Sequence, residues 1–225
     1  MIGFRLQGAY ASSLVVPAFA LVPKPATLDW AEAAGLMLTG ATAVHALTAL
    51  DAGAGDTVLV HGAAGGVGQM LTQLAVAGGA RVIGTAGSAG AETVRRTGGE
   101  PVLYGDGLAE RVRALAPEGV TAAVDAVGTD EALDVSLELV PDRNRIATIA
   151  NFARGGQAGI RVLGNGPGAD PGTALRDAAR LRLTALAEAG RLEVVVAGSY
   201  PLEEVAAAHR EGMRGHSHGK LVLVP

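Results

Sequence analysis

The run Val58-Leu59-Val60-His61-Gly62-Ala63-Ala64-Gly65-Gly66-Val67-Gly68 sets closely spaced glycines between a short apolar stretch and an amphipathic one. That order, strand then glycine loop then helix, decides the fold class. The first turn of a helix carries backbone N–H groups without partners, and the helix dipole favours negative charge there, so a diphosphate can settle if no side chain obstructs it. Gly65 permits the approach and Gly68 lets the helix lie close to the strand. Ala63 stands at the first glycine position of the dinucleotide fingerprint, which therefore reads A-x-G-x-x-G. A glycine pattern alone equally suits a ligand-free turn, and it is the surrounding chain that favours a bound dinucleotide.

Outward from this loop, β-branched runs alternate with amphipathic helical stretches, the grammar of βαβ units feeding a parallel sheet. Strands are predicted at residues 58–60, 81–85, 102–104, 120–125, 145–150 and 159–163. Helices are predicted at 66–77, 91–96 and 108–115, with Gly78-Gly79 and Gly98-Gly99 as stops and Asp106 as a cap. Thr129 opens a further helix that Pro141-Asp142 ends, Asp170-Pro171 caps a long one closing at Gly190, and a strand at 193–197 and a helix starting at Pro201-Leu202-Glu203-Glu204 follow. Leu221-Val222-Leu223-Val224 reads as a strand buried on both faces. Residues 1–50 differ: two strands between 8 and 20, a Pro23-Lys24-Pro25 linker, and two helices at 29–38 and 42–50. The expected architecture is α/β, a doubly wound parallel sheet of the Rossmann type.

Composition fits a layered fold and removes other classes. Of 225 residues 49% are hydrophobic and only 3% aromatic, so aliphatic side chains and alanine must fill the core. Eighteen Lys and Arg against 22 Asp and Glu give a net charge of −4, which offers no basic footprint for nucleic acid or an anionic membrane. Cysteine is absent, so disulfides, thiolate nucleophiles and cysteine-ligated zinc are excluded together. Residues 6–23 superficially mimic a signal peptide but are interrupted by Gln7, Ser12, Ser13 and Pro17. Residues 57–80 are uncharged but broken by four loop glycines, so no membrane span is expected and a cytoplasmic location is.

The second strand ends in Gly84-Thr85-Ala86-Gly87-Ser88, and no acidic side chain follows until Glu92. An acid near this point would hold the ribose 2′-hydroxyl of NAD; small and hydroxyl residues leave room for a 2′-phosphate and tilt the expectation to NADP.

The ordered set of motifs resembles the zinc-independent quinone oxidoreductase branch of the medium-chain dehydrogenase/reductase superfamily. Gly8-Ala9-Tyr10-Ala11, Val15-Val16-Pro17-Ala18 and Leu21-Val22-Pro23-Lys24-Pro25 are similar to the end of that family's β-rich, GroES-like first domain. Ala33-Ala34 and Thr42-Ala43 resemble the helix leading into the cofactor domain. Val124-Asp125-Ala126-Val127-Gly128, Gly190-Arg191-Leu192, Tyr200-Pro201-Leu202, Ala208-His209 and Gly219-Lys220-Leu221-Val222-Leu223 resemble later segments. The resemblance implies residues 1–26 as a remnant of the GroES-like domain, 27–170 as the dinucleotide-binding domain, and 171–225 as C-terminal helices and a strand returning to the remnant.

It also implies a metal-free hydride transfer from NADPH to a quinone or enone. Carried over by position, Gly65, Gly66, Val67 and Gly68 would hold the diphosphate, and Thr85, Ser88 and Tyr104 would border the adenosine phosphate. Val127, Gly128, Asn151 and Lys220 would line the rest of the cleft. Thr42 would lie beside the nicotinamide, and Thr42 and Tyr200 are the hydroxyls available to protonate product. The family commonly carries a basic residue after the second strand, where this chain reads Gly87-Ser88-Ala89-Gly90-Ala91, and it carries a longer β-rich segment ahead of Gly8 that walls the substrate cleft. A homodimer joined along the sixth-strand edge near Ile160 and Leu163 is expected. The contrasting expectation is a nucleotide-binding or partner-binding module without redox activity of its own.

Other residues have plainer readings. His216-Ser217-His218 reads as a surface loop rather than a metal pair, and no metal site is assigned. His45 and His61 are weak candidates as acids, and Asp125 is read as a turn-forming carboxylate.

Overall fold

The computed structural model describes residues 1–215 and 217–225, so His216 of the histidine pair lies outside the described residues. The chain begins with β1 (Ile2–Gly3), β2 (Leu21–Val22) and α1 (Trp30–Ala49). Then come β3 (Thr57–His61), α2 (Gly66–Ala77), β4 (Arg81–Ala86), α3 (Ala91–Arg96), β5 (Glu100–Leu103) and α4 (Leu108–Leu115). The second half holds β6 (Ala122–Asp125), α5 (Asp130–Leu139), β7 (Ile146–Thr148), α6 (Phe152–Ala158) and β8 (Arg161–Val162). It ends with α7 (Thr173–Glu188), β9 (Val196–Pro201), α8 (Val205–Met213) and β10 (Lys220–Val224).

Strands β3 to β8 form one parallel sheet in the order β5-β4-β3-β6-β7-β8. The chain steps outward from β3 to β5, returns to lay β6 against the other side of β3, and steps outward again. The order reverses between β3 and β6, and open sheets of this kind bind ligands at the carboxyl ends of the strands there. Alternate residues of each strand serve opposite layers. Val58, Val60, Ala122 and Val124 face the core shared with α1, α2 and α7. Leu59, Ile83, Ala123 and Ile146 meet Leu108 and Val112 of α4 and Leu133 of α5. Both faces are dry, which is why the strands read as unbroken apolar runs.

Several expectations are corrected. The helices expected at 29–38 and 42–50 are one helix, α1, opened by a reciprocal cap in which Glu32 N–H donates to Asp29 Oδ1 and Asp29 N–H donates to Glu32 Oε2, both at 2.8 Å. Gly40 in its middle is a packing site: a methyl built there would lie 2.9 Å from Leu183 Cδ2 of α7. The glycine-rich connection after β7 contains α6, which Asn151 caps and whose Gly155 backs onto Thr148 with no room for a methyl. Residues 8–17 form no strand; β1 and β2 pair antiparallel outside that stretch. Asp106 and Asp170 do not cap. Gly107 and Gly172, both left-handed, open α4 and α7, where φ of 78° and 53° favours glycine over an aspartate. The strand expected at 193–197 lies later, at β9, and pairs in parallel with β10 in a separate two-stranded sheet, so that of the β10 residues only Val222 is fully buried.

The outer edge of β8 is partly taken. Asp170 N–H donates to Val162 O and Gly164 N–H donates to Asp170 O, both at 2.8 Å, so the chain's own backbone covers part of the edge where pairing of two copies was expected.

The α1–α7 contact sets a stability prediction. Gly40→Val places branched carbon where Leu183 already sits; over-packing of this kind costs about 1–3 kcal/mol. Urea unfolding should show a lower midpoint with an unchanged slope, and an unchanged midpoint would refute the contact.

Candidate functional site

The site is built where β3 turns into α2. Gly62 takes φ of +73°, open to glycine, and reverses the chain after His61. Its N–H donates to Thr85 Oγ1 at 3.1 Å and Ala63 N–H donates to Thr85 O at 3.0 Å, so β4 holds the loop from below. Gln69 Nε2 donates back to Ala64 O at 2.7 Å. A methyl at Gly68 would lie 2.2 Å from Gly62 O and 2.6 Å from Ala63 Cα, so only glycine allows the helix to seat here. Gly65 is the N-cap residue and supplies no side chain to the first turn. The leading amides of α2 are therefore bare, at the point where the sheet order reverses.

These amides face a cleft of about 230 Å³. Gly65, Gly66, Val67 and Gly68 form its floor, Leu38 and Thr39 of α1 and Ala126 its walls, and Gly219 and Lys220 its rim. A slightly larger cavity of about 250 Å³ lies between Arg113 and Glu138, around Pro117 and Gly119. It sits at the amino ends of the strands, and Arg113 and Glu138 form an ion pair there, so position rather than size selects the first cleft.

Among the described residues Lys220 is the one basic residue on the cleft rim. Its stem passes so close to α2 that a methyl at Gly66 would meet its Cδ at 2.9 Å. Burial lowers the ammonium pKa, and among the described residues no carboxylate lies within 4.0 Å of it. A desolvated cation without a counter-charge beside bare helix amides is matched to an anion.

The far wall is braced by Asp125, fully buried. Its Oδ1 accepts from the N–H groups of Val127 at 3.0 Å and Gly128 at 2.7 Å, and its Oδ2 accepts from Thr148 Oγ1 at 2.7 Å. Asn151 Nδ2 donates to Gly128 O at 3.2 Å. Val127, Gly128 and Asn151 thus form one hydrogen-bonded turn beside the loop, and a methyl at Gly62 would stand 3.2 Å from Val127 Cβ. Ser88 is exposed after β4, and the Tyr104 hydroxyl closes on the same turn, 3.1 Å from where a Gly87 methyl would lie. Thr42 is buried on α1 one turn beyond Thr39, outside the lining. Tyr200 pairs in register with Leu223, three residues along β10 from Lys220, and is not brought to the cleft. Leu38, Thr39, Ala126 and Gly219 line the cleft without having been singled out. Thr39 was within reach, since it shares a helix face with Thr42 at a spacing of three.

The two core histidines are structural. Arg176 Nε donates to His45 Nδ1 at 3.3 Å, leaving His45 Nε2–H to donate to Asp170 Oδ2 at 3.3 Å; burial is the main cause lowering its pKa. Asp170, read from the sequence as a cap, is this partner instead, and it also takes the Gly172 N–H at 2.9 Å. His61 lies fully buried under the loop. Ser136 Oγ donates to Ala132 O and receives His61 Nε2–H at 3.1 Å.

With this geometry in place, the family model described as zinc-binding dehydrogenase matches residues 97–223. A 2-haloacrylate reductase of Burkholderia sp is 34% identical over 97% of this chain and 71% of its own length. The chain belongs to the zinc-binding dehydrogenase family. Within it the relatives are of the quinone oxidoreductase type of medium-chain dehydrogenase/reductases, and the chain is an oxidoreductase of that group, corresponding to their C-terminal part. The quinone oxidoreductase of Mus musculus is 29% identical over 97% of the chain and 70% of its own length. The crystal structure of Escherichia coli quinone oxidoreductase complexed with NADPH superposes with a TM-score of 0.81 at 25% identity, covering 96% of this chain and 72% of that one. Among the described residues no three His, Cys, Asp or Glu side chains converge as a metal site, and no helix is long and apolar enough to cross a membrane.

His61 gives a pH prediction. Burial pushes its imidazole down to about 4 from an ordinary 6.5, with the Asp125 charge opposing. The unfolded chain therefore takes up this proton first. The neutral ring's contribution is complete above about pH 6.5 and is lost as pH falls toward 4, amounting to about 3 kcal/mol at roughly 1.4 kcal/mol per pH unit. Between pH 7.5 and 4.5 the wild type should lose about 2–3 kcal/mol more unfolding free energy than His61→Gln by urea titration. Equal losses would refute it.

Proposed function

We propose that the cleft binds a reduced nicotinamide dinucleotide, NADPH in preference to NADH, and that the enzyme reduces a quinone or a conjugated enone. The observation that carries this reading is Lys220, a half-buried cation without a carboxylate partner, set against the uncapped N-terminus of α2. A dinucleotide fits the residues present: Gly62, Gly66 and Gly68 leave a floor on which side chains are excluded, and the first-turn amides with Lys220 match a diphosphate in charge and in donor direction. The relatives' names, 2-haloacrylate reductase and quinone oxidoreductase, and the NADPH complex of the similar structure support the same class of cofactor and substrate.

In this reading Gly65, Gly66, Val67 and Gly68 receive the diphosphate with Lys220, while Thr85 keeps the loop in shape. Ser88 and Tyr104 flank the adenosine end, where Glu92 is drawn off into an ion pair with Arg95 at 3.2 Å and offers no acid to a ribose hydroxyl. Val127, Gly128 and Asn151, locked by Asp125, border the nicotinamide from one side and the face of α1 carrying Thr39 and Thr42 borders it from the other. The bound cofactor supplies the hydride, and the protein's part is orientation and exclusion of water. The proton that completes reduction of the substrate comes from the Thr42 hydroxyl or from solvent. Tyr200, about 10 Å along the strand from the rim at the usual rise per residue, takes no part in this reading. Two copies are proposed to meet at the part of the β8 edge around Ile160 and Arg161 that Asp170 leaves open.

Calorimetric titration tests the binding. Both NADPH and NADH should bind the wild type, and Lys220→Gln should weaken both by about tenfold or more, as expected for losing a charge-assisted hydrogen bond. Absence of heat with either cofactor at millimolar concentration would overturn the reading. Binding without NADPH oxidation across a panel of quinones and enones would replace the enzyme with a binding module. Sedimentation should give a dimer; a monomeric wild type would refute the edge contact.

A further inference from the structure

The loop that leads into β10 does more than deliver Lys220. Gly219 has φ of +146°, and a methyl there would lie 2.6 Å from Val195 O, so the loop is pressed against the residue that leads into β9 and only glycine passes. Lys220 N–H fastens it by donating to Val195 O at 2.8 Å. Two residues before Lys220, His218 is turned the other way along the sheet. Its imidazole lies on the turn after β4, where a methyl at Gly90 would meet His218 Nδ1 and Cε1 at 3.1 Å and Ala64 Cβ at 2.7 Å. One short segment therefore places a cation over the start of α2 and an imidazole between the glycine loop and the carboxyl end of β4.

Those two places are where a dinucleotide on this sheet presents its two sites of negative charge. The diphosphate lies at the start of the helix after β3, and the ribose of the adenosine half lies at the end of the next strand, where an acid selects NAD and a basic group accommodates the extra phosphate of NADP. No basic residue stands in Gly87-Ser88-Ala89-Gly90-Ala91 itself. Neither nitrogen of His218 has a hydrogen-bond partner among the described residues, and the neighbouring Ser217 Oγ is buried without one.

We propose that His218 is the group that recognises the 2′-phosphate of NADPH, with an imidazole N–H directed to a phosphate oxygen beside the hydroxyls of Ser88 and Tyr104. The assignment rests on the dinucleotide reading of the cleft. It places the specificity determinant in the C-terminal loop instead of after the second strand of the sheet, so that β10 carries both the diphosphate clamp and the phosphate selector.

The test is the ratio of NADPH to NADH affinity, measured by calorimetry at one pH for the wild type, His218→Gln, His218→Glu and His218→Arg, each first shown to melt within a few degrees of the wild type. Removal of the imidazole should lower the ratio about tenfold, a carboxylate should bring it to or below one, and arginine should restore it. A ratio unchanged in all three variants overturns the assignment of His218 while leaving the cleft intact. A wild type that binds neither cofactor overturns the cleft reading and this one with it. An equal fall in both affinities would make His218 a structural residue and likewise refute its role as selector.

Discussion

The structure depends on one close approach. Gly68 of α2 sits against Gly62 O and the Ala63 backbone at a distance that admits no side chain, and this contact fixes where the helix axis points. Because α2 begins immediately before, the same contact aims the bare first-turn amides at the mouth between β3 and β6. A helix dipole acts within its first turn, so a displacement of a few ångströms would leave the amides facing solvent and not a shared cleft. Thr85 below the loop and Gln69 above it hold that geometry from β4 and from α2 itself.

Around this fixed point the remaining polar groups divide into those that hold shape and those left open. Asp125, Thr148, Asn151 and the His45–Asp170–Arg176 cluster spend their hydrogen bonds on one another or on backbone N–H and C=O groups. His61 is kept neutral by burial and spends its N–H on Ser136. Buried polar groups are ordinarily satisfied in this way. Lys220 and His218 stand apart, since both face the cleft side of the molecule without protein partners among the described residues. One loop delivers both groups, Lys220 over the start of α2 and His218 onto the turn after β4, and the proposed dinucleotide reading gives each a phosphate to meet.

The cleft is made by short-range structure together with one returning strand. Thr39 and Leu38 come from α1, which packs on α2 and α7, and Ala126 comes from the turn that Asp125 locks. The chain spans about 70% of the length of the 2-haloacrylate reductase and of the mouse quinone oxidoreductase.

What the sequence determined by itself was local and periodic. The apolar runs of β3, β4 and β6, the glycine spacing that begins α2 and the alternation with amphipathic helices specify a doubly wound sheet, because each feature depends on residues a few positions apart. The same locality explains the floor of the cleft, Gly65 to Gly68. Features that depend on contacts distant in sequence were decided only by the tertiary structure. The helices expected at 29–38 and 42–50 are one because Gly40 between them gives Leu183 of α7 its space, and Asp170 reads as a cap until His45, 125 residues away, claims it. Tyr200 and Thr42 were named by resemblance; strand register sets Tyr200 opposite Leu223, and helix phase sets Thr42 one turn beyond Thr39, which lines the cleft. His218 reads from the sequence as part of a surface loop; that its imidazole lies against the turn at Gly90, 128 residues away, is decided only by the tertiary structure.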